Sequence, residues 1–241
     1  AQLNYIIGDF ELNTSKIIET IEVCRRQGAE LVVFAELSVC GYPPRDFLEF
    51  DDFIDKSYAA IDKIASYCNG IAAIVGAPSR NPDIKGKNLF NSAWLLADGK
   101  VQSIAHKALL PTYDIFDEYR YFEPCRQFNC IIYKGVKIAL TICEDIWNLV
   151  PDPLYVSNPM DALHAQSPDI MINIAASPFN YDQQKTRLEI LRSNTSQYNM
   201  PLVYVNQVGA QTELLFDGNS CAIDNQGNMI TGCDAFKEGI C

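Results

Sequence analysis

A chain of 241 residues, 48% of them hydrophobic, can bury a substantial core without disulfide or metal staples. Its formal net charge of −11 argues against nucleic acid, whose partners carry a basic face, and against an anionic membrane surface. No apolar run approaches the roughly 18 residues that read as a membrane span, and the first residues do not read as a signal peptide.

Leu3 to Ile7 reads as an opening strand closed by Gly8-Asp9. Asn13 or Thr14 is placed to cap the helix that follows, whose apolar side carries Ile17, Ile18, Ile21 and Cys24. Arg25 and Arg26 suit the C-terminal dipole of that helix, and Gly28 ends it. Leu31 to Ala35 is a short apolar run, the mark of a strand covered on both faces, and it stops at Glu36. Gly41, Pro43 and Pro44 make the next stretch, Leu37 to Asp46, a loop. Asp52 to Tyr67 has a helical apolar rhythm that Asn69-Gly70 ends, and Ile71 to Ala77 is the next buried strand. Ser92 to Leu96 and Val101 to Ala105 form a hairpin around Ala97-Asp98-Gly99-Lys100, running into His106-Lys107.

A polar and aromatic segment from Leu110 to Pro124 precedes a second hairpin, Cys130 to Tyr133 with Val136 to Thr141, which leads to Cys143. A loop with Pro151, Pro153 and Pro159 leads to a short helix at Asp161 to Gln166. Ile170 to Ala175 is a strand, Asp182 to Tyr198 a long helix and Leu202 to Asn206 a strand, and Ser220 to Ile230 is a hairpin turning at Asn225-Gln226-Gly227. There is no internal repeat and no clear linker. Helices alternating with strands and hairpins give an α/β chain with a mixed sheet or two stacked sheets.

Nine cysteines are an odd number at scattered spacings, with no CxxC pair and only His106 and His164 to add imidazole. That pattern suits neither a disulfide framework nor a zinc site. It suits reduced cytoplasmic thiols, most of them buried as small hydrophobes. Three polar residues stand where apolar strands stop: Glu36, Lys107 and Cys143. Sites in α/β proteins form beyond strand carboxyl ends, so neighbouring strands would bring together a carboxylate, an ammonium and a thiol. A thiol is mostly protonated at neutral pH and needs a base. Glu36 could supply it, while Lys107 and a backbone N–H could stabilise the oxyanion of an attacked amide. Singly, each residue also has an ordinary reading as a core thiol, a turn acid or a solvated lysine. A Cys–His pair through His106 or His164 competes without a supporting motif.

The residues now reached carry a likeness. Phe34-Ala35-Glu36-Leu37-Ser38 with Gly41-Tyr42-Pro43-Pro44-Arg45-Asp46, His106-Lys107 through Phe116-Asp117-Glu118 and Arg120-Tyr121-Phe122, and Ile142-Cys143-Glu144-Asp145-Ile146-Trp147 come in that order. Ala176-Ser177-Pro178-Phe179, Tyr204-Val205-Asn206-Gln207-Val208-Gly209 and Phe216-Asp217-Gly218 follow. The chain resembles the nitrilase (carbon–nitrogen hydrolase) superfamily and, within it, the glutamine amidotransferase domains of glutamine-dependent NAD synthetases. The resemblance implies one αββα sandwich over residues 1–241, with two stacked mixed sheets and outer helices, in homo-oligomers. It implies Cys143 as nucleophile, Glu36 as base, Lys107 as oxyanion stabiliser and Glu118 as a supporting glutamate. Glutamine would be the substrate. Glu144 would meet its ammonium, and Tyr113, Phe116, Trp147 and Ser177 would line the pocket. Lys185 is the candidate for the α-carboxylate, with Arg187 as alternative. Asp145 has no chemical role in this reading and is expected to be structural.

The phosphate-binding run Ser-Gly-Gly-x-Asp-Ser of the synthetase partner domain does not occur in these residues, nor does any P-loop or G-x-G-x-x-G. The expectation is therefore no cofactor for this domain, with ATP and Mg only at a separate synthetase domain. The chain begins inside its first expected strand and stops soon after the last hairpin, so it is expected to be a piece of a longer enzyme. The rivals are a freestanding small-amide amidase and a non-catalytic assembly or regulatory domain.

Overall fold

The computed structural model describes residues 1–83, 85–149 and 154–241. The loop prolines Pro151 and Pro153 lie outside the described residues.

Four strands form one mixed sheet in the order β1 (Leu31–Val33), β2 (Ala72–Arg80), β3 (Leu89–Ala97), β4 (Lys100–His106), with β1 parallel to β2 and the rest antiparallel. Alternation along β2 and β3 shows why these strands are apolar throughout. Ala73, Val75, Trp94 and Leu96 pack with Ile17 and Ile21 of helix α1 (Phe10–Arg26) and Ile61 and Ile64 of helix α2 (Asp51–Ser66). Ala72, Ile74, Ala93 and Leu95 face the other way, into a core shared with a second sheet. Successive side chains of a strand point to opposite faces, so burial on both sides leaves no position for polar alternation.

The second sheet is also mixed. It contains β5 (Ile131–Tyr133), β6 (Val136–Ile142), β7 (Ile170–Ala175), β8 (Leu202–Asn206), β11 (Cys221–Ile223) and β12 (Met229–Gly232). Its order is β12-β11-β8-β7-β6-β5, and β6, β7 and β8 run parallel. Ile138, Leu140, Ile142, Ile172, Ile174 and Leu202 join the shared core. So do Met160 and Leu163 of α3 (Pro159–His164) and Leu191 and Tyr198 of α4 (Gln183–Tyr198). The result is the expected αββα sandwich, with α1 and α2 on one side and α3 and α4 on the other.

Three local expectations are corrected. Leu3 to Ile7 forms no strand among the described residues. Side chains serve much of its backbone instead: Asn4 N–H donates to Glu238 Oε1 (2.8 Å), Ile6 N–H to Asn13 Oδ1 (2.9 Å), and Gln211 Nε2 to the Tyr5 carbonyl (2.7 Å). The cap of α1 is Asp9, whose Oδ1 accepts from Leu12 N–H at 3.0 Å. Asn13 is drawn inward to tie Ile6 and Val39, and Thr14 is buried. An unforeseen hairpin joins β9 (Val208–Gln211) to β10 (Leu214–Asp217). Its two-residue turn, Thr212-Glu213, has φ of +53° at Thr212 and no glycine to announce it.

Helix α4 is held to the exit of β10 by a buried pair. Arg187 donates from Nη2 to Asp217 Oδ1 at 3.0 Å and from Nη1 to Oδ2 at 3.2 Å. Removing one member leaves an unpaired buried charge. Asp217→Ala is therefore expected to lower unfolding stability by about 3–5 kcal/mol, and the double change Arg187→Met with Asp217→Leu by much less. Urea denaturation of the two variants checks this, and equal losses would contradict it.

Candidate active site

The site begins where β1 runs out. Phe34 N–H still reaches Ile74 O at 2.8 Å, and the chain then crosses β2 through Ala35 to Val39. Gly76 makes that crossing possible, because a Cβ there would lie 2.2 Å from Leu37 N and 2.6 Å from Ala35 O. Leu37 takes φ of +47°, a conformation that costs a non-glycine residue roughly 1–2 kcal/mol. Between these constraints Glu36 is fully buried. Its Oε1 accepts from Lys107 Nζ and from Asn91 Nδ2, each at 2.7 Å, and its Oε2 accepts from Ala176 N–H at 2.9 Å.

Lys107, one residue past β4, is buried beside it. Its backbone N–H donates to Asn91 O at 2.8 Å, so Asn91 places both the lysine and Glu36. The ammonium also donates to Glu118 Oε1 at 2.9 Å, and Tyr42 Oη donates to the same oxygen at 2.9 Å. One cation is thus shared by two buried carboxylates. Burial opposes the charged lysine, but Glu118 and Glu36 outweigh it and hold its pKa well above the ordinary value. Burial, moderated by Lys107 and reinforced by Glu36, raises the Glu118 carboxyl to about 7.

Cys143 follows directly on β6, at the start of a short 3-10 turn, Cys143–Ile146. Its φ of +47°, like that of Leu37, lies in the left-handed region; strain of this kind gathers at functional sites. Asp145 fastens the turn to the lysine strand. Its Oδ1 accepts from the N–H groups of Ala108 and Leu109, both at 2.9 Å, and its Oδ2 from Ile142 N–H at 3.0 Å. Burial raises the Asp145 carboxyl to about 6 against those bonds. Burial, then Glu36, pushes the Cys143 thiol well above its ordinary pKa, with Lys107 pulling the other way. The resting sulfur is therefore a protonated thiol that needs a base at the moment of attack.

A cavity of about 460 Å³ opens over Cys143. Tyr113, Phe116, Glu144, Trp147 and Ser177, the residues that the resemblance assigns to a pocket, all line it. Glu144 accepts from Tyr113 Oη at 2.9 and 3.0 Å and from Tyr155 Oη at 3.1 Å. Ser177 is fixed through its backbone, N–H to Asn206 Oδ1 at 2.9 Å and carbonyl from Asn206 Nδ2 at 3.0 Å. Lys185 is not brought to the cavity: it is exposed on α4 and absent from the lining. Arg187 is committed to Asp217. Neither histidine lines the cavity either. His106 stacks on Phe90 with centroids 4.4 Å apart, and its Nδ1 lies 2.7 Å from Ser92 Oγ. His164 packs against Tyr198. Among the described residues no group of three or more His, Cys, Asp or Glu is arranged around a metal position.

Sequence reasoning missed Asn91, Tyr42 and Tyr155. Asn91 had a signal, a polar residue in the apolar run Leu89–Ala97, since a buried amide needs partners. Tyr42 and Tyr155 sit in loops where no periodicity distinguishes a hydroxyl aimed inward. Asp145, expected to be structural, makes three bonds to backbone N–H groups.

Comparison with known proteins identifies the family. The carbon–nitrogen hydrolase family matches residues 1–241. A glutamine-dependent NAD(+) synthetase of Synechocystis sp. is 38% identical over 100% of this chain and 44% of its own length. One from Thermotoga maritima is 34% identical over 100% of this chain and 40% of its own length. The chain therefore spans less than half the length of these relatives. The solved glutamine-dependent NAD+ synthetase of Acinetobacter baumannii superposes with a TM-score of 0.89 at 33% identity, covering 99% of this chain and 43% of that one. An amidase from Nesterenkonia sp., at 20% identity, shares the fold with a TM-score of 0.82 over 99% of this chain and 85% of its own.

Two measurements probe the electrostatics. Because the Cys143 thiol is held above its ordinary pKa, the thiolate absorbance near 240 nm should be the same in wild type and Cys143→Ala at neutral pH. An excess in the wild type would show a preformed thiolate. Glu118 is raised from 4.5 to about 7. A raised carboxyl favours the folded state fully below its unfolded pKa, and the advantage is lost as pH rises through the folded value. The stability difference between wild type and Glu118→Gln should therefore shift against the wild type between pH 4.5 and about 7. Urea titrations across that window check it, and parallel curves would contradict it.

Proposed function

The chain belongs to the carbon–nitrogen hydrolase family, and from that footing we propose that it is a glutamine amidohydrolase supplying ammonia to a glutamine-dependent NAD synthetase. The carrying observation is the buried Lys107 ammonium clasped by Glu36 and Glu118 and latched through Asp145 to the Cys143 turn. In this reading Glu36 takes the thiol proton as the sulfur attacks the side-chain amide carbon. Lys107 and the Glu144 backbone N–H stabilise the oxyanion. Glu36 then protonates the leaving nitrogen, ammonia departs, and a thioester remains on Cys143. Glu36 next takes a proton from water, the hydroxide attacks the thioester, and the departing sulfur regains its proton from Glu36. Glutamate and ammonia are the products.

Glu144, steadied by the two tyrosine hydroxyls, is assigned to the substrate ammonium. Tyr113, Phe116, Trp147 and Ser177 are assigned to the pocket walls, and Glu118 to holding Lys107 in place. No cofactor is assigned to this chain; ATP and Mg would belong to a separate synthetase domain, as the greater length of the relatives suggests. A homo-oligomer and a cytoplasmic location belong to the same proposal. They draw on the family and on the free thiols, of which Cys24, Cys40, Cys68, Cys143 and Cys221 are buried. No helix among the described residues is long and apolar enough to cross a membrane. One observation favours the rival amidase for another small amide: the described lining of the cavity holds no Lys or Arg to meet an α-carboxylate.

The purified chain is expected to release ammonia from glutamine, and Cys143→Ala to lose about 10³-fold or more of that rate. Lys107→Met should lose about 10²–10³-fold, the scale of a deleted oxyanion donor. Mass spectrometry of the quenched reaction should find a glutamyl adduct on the peptide carrying Cys143. An adduct on another cysteine would refute the assignment.

A further inference from the structure

The charge balance of the cavity is one-sided. Asp114, Glu144 and Glu213 line it with Cys143, and no described lining residue is cationic. Glutamine brings a carboxylate as well as an ammonium. If glutamine is the substrate, as the preceding reading has it, its carboxylate needs a positive group from the rim. Arg187 is bound to Asp217 inside the fold, and Lys185 is outside the lining.

Arg45 reaches the rim through a residue of the lining. Its guanidinium is ion-paired with Glu213, the cavity-lining residue at the turn between β9 and β10. The pocket that Arg45 lines shares the wall formed by Ile115, Phe116 and Leu214 with the cavity over Cys143. The loop that carries Arg45 is anchored in the catalytic cluster, since Tyr42 three residues earlier donates to Glu118. Arg45 itself has φ of +49° directly after Pro43-Pro44, and its neighbour Asp46 is occupied by Arg120 at 3.0 Å.

We propose that Arg45 is a specificity-determining residue, which exchanges Glu213 for the α-carboxylate of the bound substrate. The exchange is cheap. The side chains of the pair are 49% and 55% exposed, and an exposed pair contributes little to stability. A guanidinium accepts a carboxylate through two parallel N–H donors, which also orients it. Glu213 acts as a placeholder that keeps Arg45 at the rim of an otherwise acidic cavity.

The test compares L-glutamine with its α-methyl ester, which keeps the ammonium and side-chain amide but lacks the negative charge. Ammonia release is measured for wild type, Arg45→Gln and Glu213→Gln. Wild type should favour glutamine over the ester, and Arg45→Gln should lose about tenfold or more in kcat/KM for glutamine, mainly through KM. The same variant should act on the ester within about twofold of wild type. Glu213→Gln should lower KM for glutamine by freeing Arg45. Equal losses on both compounds, or no loss on glutamine, would overturn the role of Arg45 while leaving the amidohydrolase reading intact. Ammonia from neither compound with wild type would overturn that reading and this proposal with it.

Discussion

Everything in the site depends on one buried ammonium. Lys107 has no exposed surface, and neither has Glu36. An isolated charge in such a place is not tolerated, and it persists only with partners and further hydrogen bonds. Lys107 has two carboxylates, and each carboxylate is itself supported: Glu36 by Asn91 and the Ala176 N–H, Glu118 by the Tyr42 hydroxyl. With both acids ionised the cluster is one negative charge in excess. Burial lifts Glu118, with Lys107 opposing and Glu36 adding to it, and burial followed by Glu36 pushes the nearby thiol the same way. A base next to a protonated thiol and a fixed cation is an arrangement suited to moving one proton during attack rather than storing a thiolate.

The sandwich exists, for this purpose, to bring chain ends together that are far apart in sequence. Glu36 leaves the four-stranded sheet over Gly76, Lys107 leaves the same sheet at its far edge, and Cys143 leaves the six-stranded sheet. Asp145 joins the last two by accepting from the backbone on both sides. Left-handed backbone at Leu37 and Cys143 marks where the chain bends sharply enough to present these side chains. Packing of the two sheets outweighs that local strain.

The cavity over Cys143 is built differently. Its groups come from loops and short turns: Tyr113, Phe116, Glu144, Trp147, Tyr155, Ser177 and the Glu213 turn. Glu144 is poised by two hydroxyls, and the compensating cation stands at the rim on an exposed pair. The charged cluster around Lys107 is thus buried and over-determined, while the cavity lining runs from buried Glu144 and Ser177 out to exposed Tyr113.

The sequence alone determined the strands and helices other than the start of the chain and the β9–β10 hairpin, the double-sided burial, and the three polar strand ends, because periodicity and burial are local properties of a chain. Residue chemistry suggested roles for Cys143, Glu36 and Lys107, and the likeness to a known family supported them and named Tyr113, Phe116, Glu144, Trp147 and Ser177, which line one cavity. Only the tertiary structure decided the rest. Asn13 and Thr14 lost the cap of α1 to Asp9 because the inward packing of the first residues claimed them. Lys185 fell outside the cavity because its place on α4 is set by which face of the helix packs on the sheet. Asn91, Tyr42 and Tyr155 acquired their parts from partners 55, 76 and 11 residues away along the chain. A hydrogen bond to a distant carboxylate leaves no mark on local spacing, so pairing of this kind appears only once the two sheets have closed on each other.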